Sequence, residues 1–154
     1  MQHTVLVIDD QWSMQELARV VLQTAGYRVL LAGDTITGLV LARMEQPSLL
    51  ILDYSLLSVS AGHLLDALHD DPKSAPLPIV FIINPGDDPG RARAAAPARS
   101  ACLRKPFHPA VLLQLVDRLL VPRVGAGRRG VAQTRWGIQN VTAMHLEKQP
   151  PNSC

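Results

Sequence analysis

Thr4-Val5-Leu6-Val7-Ile8-Asp9-Asp10 sets a short apolar, β-rich run directly before two acidic residues. No polar residue alternates through Val5–Ile8, so the run reads as a strand buried on both faces, as in the interior of a parallel sheet. Its carboxyl end carries the acidic pair. Helical periodicity follows from Ser13 to Thr24, with Met14, Leu17, Val20 or Val21, and Ala25 tracing one stripe. Ser13 with Glu16 three residues on predicts a capping box at its start, and Gly26 a stop just past its end.

The pattern then repeats. Arg28–Ala32 is a second strand, and a helix capped by Asp34 or Thr35 runs through Met44 to a turn at Pro47. Leu49–Leu52 is a third buried strand, ending on Asp53, and a loop leads to a helix at about Ser60–His69. Pro78–Ile83 is a fourth strand followed by the turn residues Asn84-Pro85-Gly86. A weaker helix near Gly90–Ala96 is cut by Pro97, Ala101–Arg104 is a short fifth strand, and His108–Leu120 is a last amphipathic helix. Five such β-α units in 120 residues predict an α/β fold: a doubly wound five-stranded parallel sheet with five helices.

Composition supports a packed domain. Of 154 residues 47% are apolar, too many for a disordered chain, and only 4% are aromatic, so the core must be aliphatic. Residues 1–120 hold 10 Lys and Arg against 12 Asp and Glu, whereas 121–154 hold 5 against 1. The chain therefore divides into a mildly acidic domain, 1–120, and a basic tail, 121–154. Pro122–Gly130 reads as a flexible linker, and the tail is too short for an ordinary DNA-binding domain, so nucleic acid is not expected as a partner. Cys102 and Cys154 form no disulfide framework or zinc pattern and are expected as reduced thiols. With no signal-peptide pattern and no run approaching the ~20 apolar residues of a membrane span, the expectation is a cytoplasmic protein without membrane association.

In such sheets ligands bind at the carboxyl ends of the strands. Asp9 and Asp10 follow strand one, Asp53 strand three and Lys105 strand five. Each alone is unremarkable, since an Asp after a strand is usually a turn former and a Lys before Pro a solvated charge. Together on one rim, three carboxylates repel unless a cation neutralises them, and a hard divalent ion such as Mg2+ suits that oxygen-only set. Asp53 is then a nucleophile for phosphoryl transfer and Lys105 a partner for the incoming phosphate oxygens.

Across about residues 4–120 these motifs resemble the receiver domains of two-component response regulators. Val-Leu-Val-Ile-Asp9-Asp10-Gln-Trp-Ser-Met14 is similar to the family's first strand and acidic pair. Pro47-Ser-Leu-Leu-Ile-Leu-Asp53 is similar to its phosphoacceptor strand, and Leu103-Arg-Lys105-Pro106-Phe107 to its Lys-Pro-Phe motif. The resemblance implies a single-domain, chemotaxis-type architecture with a flavodoxin-like sheet and a cis Lys105–Pro106 bond. It makes Asp53 the acceptor and Lys105 its phosphoryl contact. Asp9, Asp10, Asp53 and the backbone carbonyl of Ser55 become the Mg2+ ligands. A histidine kinase or phosphotransfer protein is the implied donor, and a downstream protein reads the result. A homodimer through helices four and five is a further form the family takes.

Two positions depart from that pattern. Where the family has a Thr or Ser at the end of strand four, this chain has Ile83, which cannot donate a hydrogen bond; Asn84 stands one residue further on. Where the family has a Tyr or Phe in strand five, it has Cys102. The loop after the acceptor differs as well, with Leu56, Leu57, Ser60 and Ala61 at the usual Met, Pro, Asp and Gly positions. The pocket is kept while the elements that report its charge are replaced. The alternative is thus a receiver-like interaction module that works without phosphorylation. Enzymes on free substrates are not expected: Asp53-Tyr54-Ser55 lacks the second Asp of a dehalogenase-type phosphatase, and Asp9-Asp10 would repel a bare phosphate. At most the domain phosphorylates and dephosphorylates itself.

Overall fold

The computed structural model describes residues 2–58, 61–73, 77–95 and 99–121. In chain order these form β1 (Thr4–Ile8), α1 (Trp12–Thr24), β2 (Arg28–Ala32), α2 (Thr35–Glu45), β3 (Leu49–Asp53), a 3-10 turn (Tyr54–Ser58), α3 (Ala61–Asp70), β4 (Ile79–Ile83), α4 (Pro89–Ala95), β5 (Ser100–Arg104) and α5 (Pro109–Leu120). The strands make one parallel sheet in the order β2-β1-β3-β4-β5. That order is the flavodoxin-like one, with its topological switch between β1 and β3. The expected basic tail, beyond Val121, lies outside the described residues, as do Ser60 and Pro97.

The three central strands supply the apolar runs read from the sequence, and β3 and β4 are buried along their whole length. The edge strands β2 and β5 are only partly covered. One face of the sheet packs against α1 and α5 through Met14, Ala18, Leu22, Leu112 and Val116. The other packs against α2, α3 and α4 through Ala42, Leu64, Leu65, Leu68 and Ala92. Each buried Leu or Ile contributes about 1.5–3 kcal/mol, so an almost entirely aliphatic core suffices for one domain of this size.

Helix ends explain where the sequence reading holds and where it slips. Gly26, at φ 94°, lets its own N–H donate to the Gln23 carbonyl and that of Tyr27 to Leu22, closing α1 with a Schellman motif. Asp34 caps α2 as expected, its carboxylate accepting from the Thr37 N–H at 2.7 Å. The capping box at Ser13 does not form. The helix begins one residue earlier, at Trp12, behind Gln11, whose side chain makes no capping bond. Glu16 is instead held by Arg19 at 2.7 Å, one turn on. The start is earlier because the carboxylate of Asp9 bends the chain first, accepting the Gln11 N–H at 2.8 Å. Cys102, expected as a reduced thiol, is disulfide-bonded in the structure.

Candidate functional site

The sequence-predicted acidic residues converge at the switch between β1 and β3. Asp9 follows the end of β1 and Asp53 ends β3; both strands are buried, so both carboxyl groups are carried into the interior, at 1% and 2% exposure. Asp10, next along the chain, remains exposed. One carboxylate oxygen from each of the three lies within 4.8 Å of the others.

Two of these acids also make the turns that their position after a strand predicts. Asp9 Oδ1 accepts the Gln11 N–H, and Asp53 Oδ1 accepts the Ser55 N–H at 3.1 Å. Asp71 and Asp88 form the same turn with Lys73 and Gly90. Unlike those two, Asp9 and Asp53 are buried and aimed at each other, which a turn does not require. Asp53 Oδ2 accepts the Ser55 hydroxyl at 2.9 Å. Asp9 Oδ2 is buried and accepts no hydrogen bond.

An unpaired carboxylate oxygen in the interior costs free energy, and the acidity of Asp9 records it. Its carboxyl is raised above the ordinary Asp value, chiefly by burial, with Asp53 and Asp10 adding repulsion. The Gln11 N–H and the charge of Lys105 oppose that rise. Lys105 follows β5 and is half-buried, and the Lys105–Pro106 bond is cis. A hard divalent cation fits this donor set: oxygen ligands only, net negative charge, and one buried oxygen still lacking a partner. Asp9, Asp10 and Asp53 could each supply an oxygen, with main-chain carbonyls and waters completing the shell.

Ile83 is 1% exposed and packs in the core on the α2–α4 face, so no polar group of that side chain reaches the rim. Asn84 is committed through its backbone to a tight turn with Asp87, described below. Cys102 packs against the same apolar face as Ile83. Three side-chain contacts were not foreseen from the sequence. The Ser55 hydroxyl makes one, where only the Ser55 backbone carbonyl was expected to serve; the Asp-x-Ser spacing after a strand was the available signal. Gln15 makes another, its amide donating to the Asp9 carbonyl at 2.6 Å from the second turn of α1. Arg104 makes the third, beside the site and not in it: its guanidinium donates to the Asn84 and Pro85 carbonyls, and nothing in the spacing marks it.

The likeness to known proteins agrees with this geometry. The model of the response regulator receiver domain matches residues 5–117. The chain belongs to the response-regulator receiver family. It is 31% identical over 116 residues to the DNA-binding regulator RpaA of Synechocystis, covering 75% of this chain and 48% of that protein. It is 27% identical over 124 residues to the phosphate regulon regulator PhoB of Pseudomonas aeruginosa, covering 80% of this chain and 54% of that one. The chain thus spans about half the length of these two curated relatives. Among solved structures, a response regulator from Burkholderia multivorans is 32% identical, with a TM-score of 0.66 over 80% of this chain and 99% of that one. The chemotaxis response regulator CheY4 of Vibrio cholerae is 25% identical, with a TM-score of 0.68 over 78% and 100%. Phosphorylation on Asp and Mg2+ binding are general for receiver domains. No helix among the described residues is long and apolar enough to cross a membrane.

Proposed function

We propose that this receiver accepts a phosphoryl group on Asp53, with Mg2+ held by Asp9, Asp10, Asp53 and the backbone carbonyl of Ser55. The observation that carries the reading is the buried, partnerless Oδ2 of Asp9, on a carboxylate that comes within 4.8 Å of those of Asp53 and Asp10. A structural turn former would not leave that oxygen unpaired in the interior. The cation supplies charge neutralisation, so that a phosphate oxygen can approach the carboxylates. One oxygen of Asp53 attacks the donor phosphorus, the bond to the donor breaks, and an acyl phosphate remains on Asp53. Lys105 balances the negative charge gathering on the phosphoryl oxygens. The donor is a histidine kinase or phosphotransfer protein, and a downstream protein reads the product. The domain performs no turnover on a free substrate beyond its own phosphorylation and dephosphorylation.

Acetyl phosphate with Mg2+ is expected to add one phosphoryl group to the wild-type chain by intact mass, and none to Asp53→Asn. An adduct on both, or on neither, rejects the assignment.

A second reading rests on Ile83, whose buried side chain has no hydroxyl to follow the charge on Asp53. Here partner binding is independent of phosphorylation. It predicts equal partner affinity for wild type and Asp53→Asn, and is rejected if binding tracks the phosphoryl group.

A further inference from the structure

The loop between β4 and α4, residues 84–88, is held by an unusual set of bonds. Arg104, the last residue of β5, donates from one guanidinium nitrogen to the Pro85 carbonyl at 2.6 Å and towards the Asn84 carbonyl at 3.3 Å. The Asp87 carboxylate accepts the Asn84 N–H at 2.6 Å, and the Asp87 N–H returns to the Asn84 carbonyl at 3.0 Å. Asp88 accepts the Gly90 N–H at 2.8 Å and so ties the loop to the first turn of α4. The Lys105 N–H reaches across to the Ile83 carbonyl at 2.8 Å. These bonds run within the loop, on to the first turn of α4, or sideways to β5 and its following residue; none of them is directed at Asp53. Directly before the loop stands Ile83, fully packed and without a polar group.

We propose that Arg104 is a positioning residue that locks the 84–88 loop and α4, so that the surface they offer a partner is preset. A phosphoryl group on Asp53 then leaves that surface unmoved. The physical case is an imbalance of attachments. A charged, planar guanidinium on two neighbouring carbonyls makes bonds about twice as strong as neutral ones. Against it, the phosphoryl group finds no hydroxyl at Ile83 to pull. A ligand shifts an equilibrium only by its differential contacts with the two states, and the Ile83 side chain offers none. Any partner that senses the phosphoryl group must then read the rim around Asp53 itself.

This inference rests in part on Asp53 as the acceptor, and the test separates the two. Amide exchange over residues 84–95 is measured in the full chain with and without beryllofluoride and Mg2+. Fluorine NMR reports independently whether the adduct forms, with Asp53→Asn as the control. The lock predicts that the adduct leaves exchange over 84–95 unchanged in the wild type. It predicts that Arg104→Leu accelerates exchange there by about tenfold or more, with strands β1 and β3 unaffected. Arg104→Lys, which keeps a single donor group, is expected to fall between. Protection of 84–95 on forming the wild-type adduct overturns the lock. So does unaltered exchange in Arg104→Leu. If Arg104→Leu loosens the whole domain, Arg104→Lys decides: local acceleration over 84–95 supports the lock, and none overturns it. If no adduct forms, the acceptor reading fails, and the lock stands or falls on the two Arg104 variants.

Discussion

Replacing Asp9 by Asn should stabilise the domain in the absence of divalent cations and destabilise it, relative to wild type, in their presence. Asn keeps the shape of the side chain and the oxygen that accepts the Gln11 N–H, so the turn after β1 survives. What disappears is a buried negative charge within 4.8 Å of two others. At an effective dielectric constant of about 20, unit charges at that separation repel by about 3.5 kcal/mol. Lys105 offsets part of this, and the exposed Asp10 is screened by solvent, leaving about 2 kcal/mol for the substitution to relieve. Urea unfolding at pH 7.5 in EDTA should therefore place Asp9→Asn about 2 kcal/mol above wild type at unchanged m-value. A cation at 100 times its dissociation constant stabilises the native state by about 2.7 kcal/mol, enough to reverse the order. Millimolar Mg2+ should move the wild-type midpoint upward and leave the variant nearly still. If Asp9→Asn is less stable than wild type in EDTA, Asp9 serves the fold and not a cation, and the reasoning fails.

Three further outcomes test the local arguments. Gly38 sits in α2 where an added Cβ would lie 2.2 Å from Cδ1 and 2.8 Å from Cγ1 of the fully buried Ile8. Overpacking of about 1–3 kcal/mol then outweighs the roughly 1 kcal/mol that Ala gains in a helix, so Gly38→Ala should destabilise in chemical unfolding. A stabilised variant contradicts the packing. The Asp34 carboxyl is held below its ordinary value by its bonds from the Thr37 N–H and hydroxyl. Its stabilisation is present above the unfolded pKa of 3.8 and lost as pH falls through the lower folded value. Wild type should thus lose its advantage over Asp34→Ala on acidification below that point, and a gap that is constant with pH would show that the charge is not involved. Gln46 closes α2 in the left-handed region at φ 45°, so Gln46→Gly should raise stability by about 1 kcal/mol. A loss in thermal or urea unfolding would mean that the Gln side chain makes a compensating contact.

Much of the fold was legible because periodicity changes type at each β-α boundary. Thr4–Ile8 and Leu49–Asp53 are too short and too uniformly apolar for helices, and the chain between them has a helical stripe and a glycine stop. The start of α1 was misread because Ser13 and Glu16 satisfy a capping pattern in one dimension, while the carboxylate of Asp9 turns the chain earlier. The convergence of Asp9, Asp10 and Asp53 was legible because a parallel sheet brings the ends of adjacent strands together. Which oxygen lacks a partner was not, since that depends on rotamers and on the Ser55 hydroxyl occupying Asp53. Arg104 was invisible for a similar reason. A lone Arg before Lys-Pro reads as a solvated charge until the 84–88 loop is seen folding its carbonyls over it.

The central claim is that Asp53, in the pocket it shares with Asp9 and Asp10, carries the phosphoryl group. Borohydride reduction after treatment with acetyl phosphate and Mg2+, followed by peptide mapping, tests it most directly, because only an acyl phosphate is reduced to the alcohol. One modified residue is expected, homoserine in place of Asp53, absent when Mg2+ is withheld. Reduction at Asp9 or Asp10, or an unmodified Asp53 in the wild-type chain, would contradict it.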